Sequence, residues 1–153
     1  MDYEAIVNGN LDIVYRTALS YCKNKYDAED VVQNTFAKLL QSDMEFQDEE
    51  HIRKWLIRVA VNECKNMWKS FWRKNISSLD DLDYEPECQT TEQKELLEEV
   101  LRLPPKYRIV IHLYYYEGYH VKEIADLLHI SESNVQIRLM RARNKLKEQI
   151  KEA

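Results

Sequence analysis

A chain of 153 residues has room for one ordinary domain or two small ones. It is 44% hydrophobic and 32% charged, with two glycines and three prolines, which favours long helices and leaves little for tight hairpins. No run of about 18 apolar residues occurs, so no transmembrane helix is expected, and the formal net charge of −5 argues mildly against nucleic acid if read globally.

The local reading differs from the global one. Residues 1–50 hold 4 Lys/Arg against 11 Asp/Glu, and residues 77–100 hold 1 against 9. Between them, residues 51–76 hold 7 Lys/Arg against 1 Asp/Glu, and residues 131–153 hold 6 against 3. Affinity for DNA depends on local phosphate contacts, so two basic blocks in an acidic chain leave a nucleic-acid partner open. A solvated helix face is the plainer reading of each block taken alone.

Leu11, Val14, Tyr15, Ala18, Leu19 and Cys22 repeat at helical spacing and predict a first helix. Asp27 then precedes Ala28, Val31, Val32, Thr35, Phe36, Leu39 and Leu40, one continuous apolar stripe. Asp27 suits the N-cap of this second helix, and Glu29 and Asp30 suit the positive end of its dipole. A third helix is predicted from about Glu50 to Arg73, with Ile52, Trp55, Leu56, Val59, Ala60 and Met67 on its inner side. Opposite them Arg58, Asn62, Lys65 and Lys69 form one polar stripe with Asn66 beside it. Trp68, Phe71 and Trp72 interleave with Lys69, Arg73 and Lys74. Cations and aromatic rings together suit a surface that tracks a phosphate backbone and stacks unpaired bases.

Periodicity is lost from about Ile76 to Thr91, an acidic stretch with one proline that reads as a linker. A second domain is expected from Glu92, with Leu96, Leu97, Val100 and Leu101 on its first helix. Leu103-Pro104-Pro105 stops that helix and starts the next. Tyr107, Val110, Ile111 and Tyr114 stripe the following helix, and Gly118 ends it. Val121–Leu128 then forms a short helix, His129-Ile130 the turn, and Ser131 the cap of a longer helix from Glu132 to about Lys147.

This last pair reads as a helix-turn-helix. Ala125 is small where the two helices cross, and Ile124, Leu128, Ile130 and Val135 fill the space between them. Val135, Leu139, Ala142 and Leu146 face inward, at about 100° per residue. Ser133, Ile137, Met140, Arg141 and Asn144 point away, flanked by Asn134, Gln136, Arg138 and Arg143. Ser133, Asn134, Gln136 and Ile137 would lie nearest the base edges of a major groove. Asn and Gln can pair with adenine there, and Ile can touch a thymine methyl. Arg138, Arg141, Arg143 and Lys145 would hold phosphates. The fold class is all-α: two small helical domains joined by an acidic linker, the second containing the helix-turn-helix.

In this order the pieces resemble the extracytoplasmic-function sigma factors, RNA polymerase subunits of the sigma-70 family, over nearly the whole chain. Asp27-Ala28-Glu29-Asp30-Val31-Val32-Gln33-Asn34-Thr35-Phe36 is similar to the family's polymerase-binding motif. Trp55 to Asn62 is similar to the helix that reads the minus-ten promoter element. Leu103-Pro104, Tyr107-Arg108, Glu123-Ile124-Ala125 and Val135 through Arg143 are similar to the region that reads the minus-thirty-five element.

The resemblance implies domains at 1–75 (region 2) and 92–153 (region 4), with the linker at 76–91. It implies that Asp30, Val32, Gln33 and Phe36 lie on or near the surface for the coiled coil of the polymerase β′ subunit. It places Arg58, Asn62, Lys65, Asn66 and Lys69 at the minus-ten element, and Ser133, Asn134, Gln136, Ile137, Arg138, Arg141 and Arg143 at the minus-thirty-five element. The loop from Gln41 to Glu50 would help cradle an unpaired base extruded from the duplex. The implied partners are the polymerase core through β′ and β, promoter DNA and an anti-sigma factor. The sequence departs from the family at Ser133-Asn134, where Gly-Thr is frequent, and at Ile137, where Ser or Thr is usual. It departs also at Asn66 and Lys69, where Asp and Arg are commoner, and at His129, where the turn often carries Gly.

The alternative is a stand-alone helix-turn-helix regulator that does not bind polymerase core. An enzyme is not expected: His51, His112, His120 and His129 show no metal-ligand spacing, and neither cofactor nor metal is implied. Cys22, Cys64 and Cys88 are odd in number and widely spaced, which suits free thiols in a reducing cytosol. The opening Met1-Asp2-Tyr3-Glu4 lacks the order of a signal peptide, so a cytoplasmic location is expected.

Overall fold

The structure is a computed structural model that describes residues 2–72 and 90–151. The expected linker up to residue 89, Arg73, Lys74 and Cys88 lie outside the described residues, as do the side chains of Trp68, Phe71 and Trp72. All regular structure among the described residues is helical, in two units, residues 1–81 and 82–153.

The first unit packs three helices: α1 (Tyr3–Cys22), α2 (Lys25–Gln41) and α3 (Glu49–Trp72). Asp2 caps α1 by accepting from the Ala5 N–H at 3.2 Å, and Lys23 ends it in the left-handed conformation, φ 61°. The cap of α2 is not Asp27 but Asn24, whose Oδ1 accepts from the N–H groups of Tyr26 (2.8 Å) and Asp27 (3.1 Å). The helix therefore starts one turn earlier than the apolar stripe suggests, because Lys25 and Tyr26 are exposed and leave no periodic mark.

Val14, Ala18, Ala28, Val31, Leu39, Leu56, Ile57, Ala60 and Val61 form the centre of this unit. Each large aliphatic side chain buried there contributes about 1.5–3 kcal/mol of transfer free energy. The inner face of α1 runs through Ile13, Val14, Thr17, Ala18 and Tyr21, and the expected Leu11 is instead 41% exposed. Buried Thr17 and Thr35 satisfy their hydroxyls on the carbonyls of Ile13 and Val31, both at 2.7 Å. Asn10 is the polar pivot between α1 and α3. Its amide donates to the Ile6 carbonyl at 2.8 Å, and its Oδ1 accepts from Arg53 Nε at 3.0 Å, while Arg53 Nη2 donates to the Gly9 carbonyl at 3.1 Å.

The second unit contains α4 (Thr91–Leu101), α5 (Pro105–Ile111), α6 (Val121–Leu128) and α7 (Glu132–Lys151). Thr90 caps α4 through Gln93 N–H, and Pro105 opens α5 at the position where a missing N–H costs nothing. One π-helical turn, His112–Tyr116, extends α5, with the Glu117 N–H reaching back to the His112 carbonyl at 3.0 Å. Gly118, φ 77°, then redirects the chain. Leu103, Val110, Leu113, Ile124, Leu127, Val135, Leu139 and Ala142 fill the core. Arg108 is 2% exposed and donates to the Leu103 carbonyl, tying α5 to the turn before it.

Candidate nucleic-acid interface

The helix-turn-helix lies where the pattern put it. Glu123 accepts from the His120 N–H at 3.2 Å and starts α6; Ser131 Oγ accepts from the Asn134 N–H at 3.1 Å and starts α7. Between them His129 closes α6 at φ 55°, the left-handed conformation. That conformation explains why glycine is the natural residue there. Ala125 is buried at the crossing, as are Ile124, Leu128 and Val135, while Ile130 is only half-buried.

With Val135, Leu139 and Ala142 fixed inward, the rest of α7 is dictated by helical rotation. Ser133, Asn134, Gln136 and Arg141 are exposed, and Arg138 is half-buried. Ile137 and Met140 are 37% and 52% exposed, apolar groups with no cover in this unit. The outward face thus presents hydroxyl, amides and a branched apolar group side by side on the first turns. It offers donors, acceptors and a methyl-sized contact, the set that base edges in a major groove distinguish.

Arg143 sits on the Gln136 flank of this face and is held from below. Its Nε donates to the Tyr115 hydroxyl at 2.7 Å, and its guanidinium lies 5.8 Å and 5.5 Å from the ring centres of Tyr114 and Tyr115. The two rings meet edge to face at 4.9 Å. On the other flank Lys145 lies 5.9 Å from the Tyr107 ring, which Lys106 also approaches at 5.0 Å. Pattern reading missed Tyr115. Its only mark in the sequence is the run Tyr114-Tyr115-Tyr116 directly after α5, and its reach to α7 depends on the π-helical turn.

In the first unit, Asn62, Asn66 and Lys69 are exposed along α3, with Arg58 and Lys65 half-buried on the same stripe. The five residues are brought together as one polar face. The segment between α2 and α3 is anchored to the start of α3: Phe46 packs edge-on against His51 (5.2 Å) and Trp55 (5.6 Å), His51 Nδ1 accepts from the Gln47 N–H at 3.1 Å, and Asp48 Oδ1 accepts from the His51 N–H at 2.7 Å. Asp43, Glu45 and Asp48 stay exposed on it.

The α2 set divides. Asp30 and Gln33 are exposed, but Val32 and Phe36 are 8% and 6% exposed, inside the three-helix core. They lie on the inward stripe, so they set the position of α2 and offer no surface of their own. The outward neighbours of Asp30 and Gln33 are Asn34, Ala37 and Leu40, the last 68% exposed. The carboxyl pKa of Asp27, at the edge of this face, is raised by partial burial and by the negative charge of Asp30. Among the described residues no group of acidic, His or Cys side chains is arranged to hold a metal ion.

Comparison with known proteins agrees in both halves. The family model for sigma-70 region 2 matches residues 6–74, and that for sigma-70 region 4 matches residues 93–146. The ECF RNA polymerase sigma factor SigM of Bacillus subtilis is 31% identical across 96% of this chain and 94% of its own length. The RNA polymerase sigma factor SigV of the same organism is 31% identical across 84% of this chain and 78% of its own. The fold is similar, at TM-score 0.80 and 21% identity over 98% of this chain and 97% of the other, to the sigma factor RpoE in a co-crystal with the anti-sigma factor NepR from Bartonella quintana.

Proposed function

This chain belongs to the sigma-70 family, as an extracytoplasmic-function RNA polymerase sigma factor, and we propose that its two units divide promoter recognition between them. The first unit docks the polymerase core through the outward side of α2 and engages the minus-ten element through α3. The second reads the minus-thirty-five element through α7. The subunit performs no catalysis; it orients the polymerase on DNA in the cytoplasm and is held inactive by an anti-sigma partner.

One observation carries this reading most directly. Ser133, Asn134, Gln136 and Ile137 are all exposed on the opening turns of α7, immediately after a tight turn that ends a buried helix. A helix so mounted presents its N-terminal residues to a groove while its far half keeps the basic residues for the phosphates. On α3, Asn62 and Asn66 offer amides to unpaired bases, and Lys69 with half-buried Arg58 and Lys65 supplies positive charge to the backbone. On α2, Asp30 and Gln33 supply the polar contacts for β′, beside the exposed Leu40.

Run-off transcription with purified core polymerase and genomic fragments tests the whole. Initiation at a specific site is expected, lost or strongly reduced in Asn62→Ala and Asn66→Ala. Both side chains are exposed, so folding is not at issue. Unchanged initiation in both variants would overturn the roles assigned on α3. Failure of the full chain to co-elute with core polymerase would return it to a stand-alone DNA-binding regulator.

A further inference from the structure

We propose that Cys22 and Cys64 are a disulfide-forming pair, a modification site that fastens the C-terminal end of α1 to the middle of α3. Their Sγ atoms lie 3.6 Å apart, in contact, although the residues are 42 positions apart in the chain. Both are free thiols. A disulfide needs sulfurs about 2.05 Å apart, so closure asks for an approach of about 1.5 Å, within reach of small side-chain adjustments. The backbone on either side is well fixed. Cys22 is the last residue of α1, followed by the left-handed Lys23 and the Asn24 cap of α2, and Cys64 sits on the buried side of α3, turned away from the face that carries Asn62.

The two thiols are not equivalent. Cys22 is half-buried, while Cys64 is 0% exposed. Contact with Cys22, burial, and the negative charges of Glu63 and Asp27 hold the Cys64 thiol well above its ordinary pKa. Cys22 is therefore the entry point for a low-molecular-weight disulfide. Its thiolate attacks one sulfur of glutathione disulfide, forming a mixed disulfide and releasing one glutathione thiolate. Cys64 then loses its proton and attacks Cys22 Sγ, displacing the second glutathione thiolate. The two cysteine thiols are oxidised, one glutathione disulfide is reduced to two thiols, and the two protons pass to them. The new bond closes a loop that contains all of α2. It locks the packing already present rather than distorting it, so the oxidised first unit is the more stable one.

The test uses the full reduced chain incubated with glutathione disulfide, alkylated and digested for mass spectrometry. A Cys22–Cys64 cross-linked peptide is expected, with Cys88 alkylated. The thermal midpoint followed by tryptophan emission should rise by at least about 5 °C over the reduced protein and fall back on adding dithiothreitol. Cys22→Ser, a change at a half-buried position, should lose both cross-link and shift. No cross-link, a stable glutathione adduct on Cys22 with Cys64 still alkylatable, a bond to Cys88, or a lowered midpoint would each overturn the proposal.

Discussion

Arg143 on the last long helix and Tyr115 on the π-helical turn are joined by a 2.7 Å hydrogen bond from Nε to the phenol oxygen. The bond uses Nε and leaves the two terminal nitrogens out of it, so under the function proposed above Tyr115 restrains the cation while those nitrogens serve a phosphate. Tyr115 is 54% exposed, so the bond adds under about 1 kcal/mol to stability, and its value lies in orientation. Arg143→Ala should weaken binding of the isolated promoter element and reduce the slope of log affinity against log salt by about one. Tyr115→Phe should weaken it less, and should add nothing in the Arg143→Ala background. A full Tyr115→Phe loss in that background would mean the phenol touches DNA itself.

His129 occupies a conformation that costs a side-chain-bearing residue about 1–2 kcal/mol. Part of that cost is offset in the unfolded chain when glycine replaces it, so His129→Gly should stabilise the second unit by about 0.5–1 kcal/mol. His129→Val should destabilise it. Urea unfolding followed by circular dichroism reads the change. Tryptophan emission should not move, because Trp55, Trp68 and Trp72 all belong to the first unit.

The split on α2 separates binding from folding. Phe36→Ala should cost about 3–5 kcal/mol of stability, since the ring is buried. Asp30→Lys, on the exposed side, should change stability by no more than about 0.5 kcal/mol. It should nevertheless abolish co-elution with polymerase core. Retention of core binding by Asp30→Lys would move the docking surface away from this face.

Asp27 gives a pH dependence whose sign follows from its raised pKa. The folded state holds the proton more tightly than the unfolded chain does, so protonation of Asp27 favours folding. That contribution is fully present below the unfolded carboxyl pKa and is lost as pH rises through the folded one. The stability of the natural chain relative to Asp27→Asn should therefore increase on acidification. Thermal midpoints of both proteins across the acidic range check this; a difference that stays flat or shrinks would refute it.

Much of the site was legible because its determinants are local. The α7 stripe of Val135, Leu139 and Ala142 follows from helical rotation alone, and rotation then forces Ser133, Asn134, Gln136 and Ile137 outward. The α3 stripe follows in the same way. Two local readings were off: the Asn24 cap precedes two exposed residues that leave no periodic mark, and Leu11, though in register with the apolar repeat, is 41% exposed because the inner face of α1 runs through Asn10, Ile13 and Val14 instead.

By itself, then, the sequence determined the helical class, the helix-turn-helix and the outward residues of α3 and α7, because a helix fixes the angle between its own side chains. Only the tertiary structure decided that Leu40, on the same stripe as buried Val32 and Phe36, faces out, that Tyr115 holds Arg143, and that Cys22 meets Cys64. Those relations join positions on different elements, and nothing in local periodicity encodes which sides of two helices meet. They depend on burying apolar area between helices, a property of the packed unit as a whole.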